Sequence, residues 1–273
     1  MLTKGEKNLL GNIFRREKIK ELSLEETYRL AQETGLSIRS IEYFALENGI
    51  VPQKYVRNIG SFTVAGQKKL LASKVMVVGL GGLGGYVLEE LCRAGVGEIV
   101  GVDGDGFDET NLNRQLLATE KNIGQKKANK ARKRAAEINQ AVVFSGFVSK
   151  VEELPETAWQ GIELIFDCLD NVESRLYLEE KAKKLGVPLV HGAIGGWYGQ
   201  VGVVFPGSNL LAKIYRERKK GIEQALGNPP FTPAVAASLM VALGIKLLLG
   251  TLEKESVVYF FDLKNIEFFD ISL

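Results

Sequence analysis

The sequence predicts an α/β protein: a doubly wound, mostly parallel sheet with antiparallel strands toward the C-terminus and a small helical extension at the N-terminus. Three observations predict it. Short valine-rich runs alternate with longer amphipathic stretches from Ser73 to Val190, the order in which crossover helices feed parallel strands. The first run leads straight into a glycine-rich turn, Gly79-Leu-Gly81-Gly82-Leu-Gly84. Near the end, two apolar runs flank the polar turn Asp262-Leu-Lys-Asn265, the outline of a terminal hairpin.

Composition bounds the rest. The chain has 273 residues, 45% of them hydrophobic and 25% charged, enough apolar material for a full core. Lys and Arg number 35 against 33 Asp and Glu, a net charge of +2, so no bulk electrostatic case exists for nucleic acid or an anionic membrane. The two cysteines, Cys92 and Cys168, exclude a disulfide framework and a four-thiolate metal site built from this chain alone. The single histidine, His191, argues against a histidine metal centre or a Ser-His-Asp triad. No apolar leader follows the opening Met-Leu-Thr-Lys, and the long apolar run from Ala234 to Leu249 contains Lys246 and reads as a buried helix. The expectation is a cytoplasmic protein without a membrane partner.

Residues 1–52 read as a helical extension. Ser23 is placed to N-cap a helix with Glu26 as its capping-box partner, and Gly35 to stop it. Ser37 opens a second helix with Ile38, Ile41, Phe44 and Ala45 on one face, and Gly49 and Pro52 end it. Thr27 to Asn48 also has the outline of a helix-turn-helix DNA reader, although a cap packed on the main domain is the plainer reading.

Residues 53–273 form the main domain. Lys74–Val78 reads as a strand buried on both faces. A helix follows over 82–93, then strand 99–103, helix 124–139, strands 142–144 and 164–168, helix 172–185 and strand 187–190. Residues 200–205 have strand composition, 232–249 a hydrophobic helix, and 257–261 with 266–271 the hairpin. Between them, about 207–230, lies a crossover segment without a clear apolar period, carrying the basic run 216–220.

The glycine turn is a G-x-G-x-x-G between strand and helix, the Rossmann-like setting for a nucleotide. Glycines allow close backbone approach to a phosphate or ribose, and the helix N-terminus adds unpaired N–H donors. Asp103 ends the next strand about 20 residues on, the position of a ribose-binding acid. This pattern alone leaves NAD, FAD and ATP open. The next block discriminates. It runs from Asp103 through Asp105 and Asp108 to Asn111-Leu-Asn-Arg114-Gln115, followed by Gly124-Gln-Lys-Lys127 and by Asp167-Cys-Leu-Asp170-Asn171 with Arg175 beyond. A dehydrogenase has no need of such cations, whereas attack at the α-phosphate of ATP requires positive charge on the phosphate oxygens and a carboxylate for Mg²⁺.

These residues carry a specific resemblance. In the order G-x-G-G-x-G, Asp, N-L-N-R-Q, G-x-x-K and D-x-x-D-N, residues 53–250 resemble the adenylating domain of the E1-like superfamily, the MoeB/ThiF/HesA proteins and ubiquitin-activating enzymes. Tyr55-Val-Arg57-Asn58-Ile59 is similar to the family's R-Y-x-R-Q-I stretch. The resemblance implies that Gly79, Gly81, Gly82 and Gly84 contact the nucleotide together with Asp105 and Gln115. It implies that Asp103 takes the ribose, that Asn111, Arg114 and Lys127 face the phosphates, and that Asp170 binds Mg²⁺ with Asn171 beside it. It implies a homodimer in which Arg57 reaches the neighbouring subunit's ATP. The implied activity is ATP-dependent adenylation of the C-terminal glycine carboxylate of a ubiquitin-like sulfur carrier of the ThiS or MoaD kind, with release of pyrophosphate. Rival readings are an adenylator of a peptide or non-protein carboxylate, a nicotinamide oxidoreductase, and a nucleotide-sensing regulator with a helix-turn-helix-like N-terminus.

Two departures from the family shape the expectation. The stretch Ser208–Tyr215, where many relatives place the first of two zinc-binding C-x-x-C pairs, has no cysteine, so no structural zinc is expected. Residues 207–230 carry no cysteine for a thioester or persulfide. Cys92 and Cys168 read as buried structural thiols, and His191 as a satisfied structural histidine.

Overall fold

A computed structural model describes residues 2–215, 226–253 and 255–271. The basic run at 216–220 lies outside the described residues.

Eight strands form one sheet in the order β3-β2-β1-β4-β5-β6-β7-β8. These are β1 (Lys74–Val78), β2 (Glu98–Val102), β3 (Val143–Phe147), β4 (Leu164–Asp167), β5 (Leu189–Gly195), β6 (Tyr198–Val204), β7 (Val257–Asp262) and β8 (Glu267–Ile271). The first five pair in parallel and the last three antiparallel. The helices are α1 (Lys4–Arg16), α2 (Leu24–Thr34), α3 (Ile38–Glu47), α4 (Ile59–Ala72), α5 (Gly82–Ala94), α6 (Lys127–Ile138), α7 (Val172–Leu185), α8 (Leu210–Tyr215) and α9 (Phe231–Leu249).

The core follows from alternation along β1. Val75 and Val77 point into a cluster shared with α5, α6 and α9, while Met76 and Val78 point to the opposite face with Trp159, Leu178 and Leu211. Both faces of the strand are therefore covered, which is why it reads as a continuous apolar run. The strand order reverses at β1, with β2 on one side and β4 on the other, and the crevice beyond their C-terminal ends is where such sheets bind ligands.

Several boundaries differ from the sequence reading. β3 begins one residue later and runs on to Phe147, because Gly146 allows a side-chain-free approach to Ala128 of α6, whose carbonyl would lie 3.0 Å from an added Cβ. β5 runs past Val190 through His191 to Gly195, since β6 pairs with it residue for residue from Val204 back to Tyr198. The crossover segment opens with a short helix, α8, whose first N–H groups are capped by a distant side chain, Glu179. A cap from so far along the chain leaves no local signal. The apolar helix α9 starts at Phe231 and has 19 residues, long and apolar enough by length and composition to cross a membrane. Here it packs across α5, β5 and β6.

The N-terminal helices share a core of Leu10, Phe14, Leu30, Ile41 and Phe44, with Phe14 and Phe44 edge to face at 5.3 Å. Ser23 and Ser37 cap α2 and α3 and Gly35 ends α2 in the left-handed region. The capping box at Ser23 is only half formed: Ser23 Oγ accepts the Glu26 N–H, but the Glu26 carboxylate is drawn to Arg29. Helix α3 is clamped to the main domain. Arg39 bonds Glu98 at 2.7 Å and Glu42 pairs with Lys54 at 2.7 Å. Every residue from Ile38 to Leu46 is buried or half-buried, so α3 packs on its neighbours along most of its length.

Candidate active site

The site is built at the crevice where β1 and β4 end. Gly79 leaves β1 with φ +87°, and its N–H donates to the Val102 carbonyl at 2.8 Å. A Cβ at Gly79 would stand 2.6 Å from the Cys168 carbonyl oxygen, and one at Gly84 1.8 Å from the Gly79 carbonyl oxygen. These two glycines are required for the turn to close. Gly81 and Gly82 are different. A Cβ there would meet only ordinary contacts, 3.4 Å to the Gln115 amide and 3.6 Å to Pro233. Their backbone faces the crevice, and α5 begins at Gly82 without a side-chain cap, which leaves its first N–H groups for a ligand.

Asp103 anchors this loop. One carboxylate oxygen accepts the Leu80 N–H at 2.7 Å and the other the Asp105 N–H at 2.8 Å. Burial pushes its carboxyl up, and the Lys127 ammonium with the two backbone donors offsets part of that. A carboxylate has about four acceptor positions, so the residue can hold the loop and still accept ribose hydroxyls. Asp105 is open to solvent, with Lys127 Nζ 3.1 Å away from its carboxylate and 3.9 Å from that of Asp103. Lys127 itself is buried at the first turn of α6. The structure thus brings Asp103, Asp105 and Lys127 together beside the glycine turn.

The N-L-N-R-Q segment packs over Gly81 and Gly82. Arg114 Cγ would lie 3.9 Å from a Cβ on Gly82, while its Nη1 donates to the Thr110 carbonyl and to Asn113. Asn111 is buried and closes its own turn, donating to Asp108 at 3.1 Å and accepting the Asp108 N–H. Its amide therefore shapes the loop, and its oxygen keeps a second acceptor position. Gln115 is buried next to Gly81, and its Oε1 has no partner among the described residues. An unpaired buried acceptor costs free energy unless something donates to it. A nucleotide carries hydroxyl and amino donors, so the site fits one.

At the end of β4, Asn171 caps α7 by accepting the Ser174 N–H at 2.8 Å. Asp170 is exposed and is not needed as that cap, so its carboxylate remains available as a hard oxygen donor suited to Mg²⁺ beside a phosphate. Cys168 is half-buried rather than buried, and Cys92 is fully buried within α5. Burial raises the Cys168 thiol well above its ordinary value, with Asp167 adding to the effect. Arg57 sits apart. It is exposed on the 3-10 turn Gln53–Asn58, whose Tyr55 packs on Gly95 at the C-terminal end of α5, away from the crevice. Within one chain the structure does not bring Arg57 to the site.

The sequence reading missed one cluster. Buried Asp167, His191 and Arg175 and half-buried Gln200 and Tyr215 form a network beneath the Cys168–Asn171 loop. His191 Nδ1 lies 2.7 Å from Asp167 Oδ2, and Tyr215 Oη 3.1 Å from His191 Nε2. Arg175 reaches His191, Tyr215 and the Leu169 carbonyl. Burial and Arg175 lower the affinity of His191 for a second proton against the pull of Asp167. Neutral His191 therefore donates from Nδ1 to Asp167 and accepts at Nε2. The Asp167 carboxyl is held low: burial would raise it, but Arg175 and His191 outweigh that. The sequence signal was slight, an aspartate and a histidine each following an apolar run.

Fold and crevice together are those of the E1-like adenylating proteins, and the enzyme class is ATP-dependent adenylyltransferase. A profile of the ThiF family matches residues 55–273, and the chain belongs to that family. It is 34% identical over 202 residues to the sulfur carrier protein adenylyltransferase of Thermus thermophilus, covering 68% of this chain and 72% of that one. It is 33% identical to the molybdopterin-synthase adenylyltransferase of Salmonella typhimurium over 68% of this chain and 77% of the relative. It spans only 44% of the sulfur carrier protein ThiS adenylyltransferase of Bacillus subtilis, with 38% identity. Among solved structures, E. coli MccB with ATP superposes with a TM-score of 0.68 at 20% identity, over 90% of this chain and 77% of MccB. That likeness speaks to the fold.

Proposed function

We propose that this protein activates the C-terminal glycine carboxylate of a ubiquitin-like sulfur carrier, of the ThiS or MoaD kind, as an acyl-adenylate. A carboxylate oxygen attacks the α-phosphorus of ATP, the bond from that phosphorus to the bridging oxygen breaks, and pyrophosphate leaves. The observation that carries the reading is the gathering of four side chains around the glycine turn: Asp103 holds Leu80 with Lys127 beside it, and Gln115 and Arg114 pack against Gly81 and Gly82. The sulfur-carrier and molybdopterin-synthase relatives support the choice of substrate.

In this reading Gly79, Gly81, Gly82 and Gly84 form the backbone cradle, and Asp103 holds the ribose with Asp105 at its edge. Gln115 accepts from the nucleoside. Lys127 and Arg114 carry positive charge to the phosphates, released from Asp105 and Thr110 by the stronger anion. Asn111 fixes the turn that presents Arg114. Asp170 and Asn171 flank the metal position, where Mg²⁺ would neutralise charge on the departing pyrophosphate. Arg57, remote in its own chain, acts in the partner site of a homodimer. The protein then contributes positioning and charge, with no covalent nucleophile. The cytoplasm, where carrier and ATP meet, is its proposed location.

The test is ATP–pyrophosphate exchange with Mg²⁺ and individual diglycine-tailed carriers. Exchange dependent on one carrier's terminal glycine, and lost in Arg114→Ala and Asp170→Ala, is the expected result. ATP binding without exchange with any carrier would reject the carrier as substrate.

A further inference from the structure

The buried network beneath the Asp170 loop has no task in the reaction just described, yet it is made of groups that are costly to bury. Asp167 and His191 are fully inaccessible and Arg175 nearly so. Three ionisable side chains in one interior cluster are tolerated only when each is paired. The pairing here has a direction. At one end Asp167 Oδ1 accepts the Leu169 N–H at 3.0 Å. Arg175 donates to the Leu169 carbonyl. Both polar backbone atoms of Leu169 are therefore held, and Leu169 immediately precedes Asp170. At the other end His191 Nε2 and Arg175 meet the hydroxyl of Tyr215, which also accepts from Gln200 at 2.8 Å. Tyr215 is the last residue of α8, where the crossover segment leaves the described structure.

A second link joins the same two elements. Glu179, buried in the middle of α7, accepts the N–H groups of Leu211 and Ala212 at 2.9 and 3.0 Å and so caps α8. Helix α8 is pinned at its start by Glu179 and at its end by Tyr215. The N-terminus of α7 in turn carries the Asp170–Asn171 loop.

We infer that Asp167, His191, Arg175 and Tyr215 are positioning residues that lock the Asp170 carboxylate to the first turn of the crossover segment. One cluster then fixes the metal side of the nucleotide site and the root of the segment beside it. Removing the Tyr215 hydroxyl takes a partner from Arg175, and removing the His191 ring takes one from Asp167 and Arg175. The two side chains that hold Leu169 are then no longer fixed themselves, and the Asp170 carboxylate loses its fixed place. The inference rests on Asp170 as the metal-side carboxylate.

The experiment is ATP affinity by titration calorimetry on the full chain, with and without Mg²⁺, for wild type, Asp170→Asn, Tyr215→Phe and His191→Leu. Mg²⁺ is expected to tighten ATP binding by wild type, and Asp170→Asn to abolish that gain. Tyr215→Phe and His191→Leu are expected to lose most of the gain, about fivefold or more, with Mg²⁺-free affinity within twofold of wild type. A purely structural role would instead lower the melting temperature and leave the Mg²⁺ gain intact, and that result overturns the inference. Tyr215→Phe removes a single oxygen atom, so it decides the matter if His191→Leu fails to fold. If wild type shows no gain, or Asp170→Asn keeps it, the assignment of Asp170 fails and the inference falls with it. A gain lost in Asp170→Asn but kept in both network variants defeats the inference alone.

Discussion

The carboxylate of Asp103 accepts the backbone N–H of Leu80 at 2.7 Å, across the gap between the ends of β2 and β1. The acid expected to meet the ribose is thus also the tie that shapes the glycine turn. Asp103→Ala should therefore cost more than a ribose contact. A hydrogen bond to a charged group contributes roughly 1.5–3 kcal/mol, and two are lost, so ATP affinity is expected to fall at least tenfold with a measurable drop in melting temperature. Calorimetry and thermal denaturation check both. Affinity within twofold of wild type would remove Asp103 from the site.

The glycines of the chain are predicted to separate by steric cost. Gly84→Ala puts a methyl 1.8 Å from the Gly79 carbonyl oxygen and should prevent native folding. Gly60→Ala on α4 meets nothing within 4 Å and should stabilise by about 0.5–1 kcal/mol through the unfolded state. Urea denaturation of both proteins tests the contrast. A folded, stable Gly84→Ala would refute the packing of the turn.

Glu42 makes stability depend on pH in a defined sense. Burial raises its carboxyl, and Lys54 and the Tyr55 hydroxyl recover only part of that cost. Because the folded-state value lies above the unfolded one, protonated Glu42 contributes stability at low pH. That contribution is lost as pH rises through the folded value. Glu42→Gln is then at least as stable as wild type near neutrality, and the difference closes on acidification. Urea melts across a pH series measure it. A variant less stable than wild type at neutral pH would show that the Lys54 pair outweighs burial.

Arg57 lies far from its own crevice, which turns the homodimer proposal into a complementation test. Arg57→Ala and Arg114→Ala proteins should each be inactive in exchange. Mixed and allowed to reassort, they should recover about a quarter of wild-type activity, because half the dimers carry one intact site. No recovery, with subunit exchange verified, would sink the action in trans.

Neither cysteine should behave as a reactive thiol. The Cys92 thiol is pushed up to about 12, by burial first and by Glu89 second. The Cys168 thiol is likewise raised well above its ordinary value, by burial first and by Asp167 second. Iodoacetamide labelling of the native protein near neutral pH is expected to be far slower than that of the unfolded chain. Cys168→Ala should retain exchange. Fast labelling of Cys168 would reopen thioester chemistry.

Much of the site was legible because its spacing is local. The glycine turn, Asp103 and Lys127 follow from short-range rules of strand, turn and helix, and the elements that carry them fall close to where periodicity puts them. Other features were not legible. Asn111 reads as a phosphate ligand, and the structure adds what the spacing does not show, a turn closed by its amide on Asp108 three residues away. Helix α8 was missed because its cap comes from Glu179.

By itself the sequence determined the alternation of strands and helices, the nucleotide turn, and the family to which the chain belongs. Each depends on residues close together along the chain, where sterics and hydrogen-bond reach act before any folding. The tertiary structure alone decided which groups share the interior. His191 meets Asp167, Arg175 and Tyr215 only because β4 and β5 pair and α8 folds back on α7. It also decided that α3 is clamped to the domain by Arg39 and Glu42, and that Arg57 is turned away from its own site. Burial and long-range pairing set these relationships, and neither has a period that a linear sequence displays.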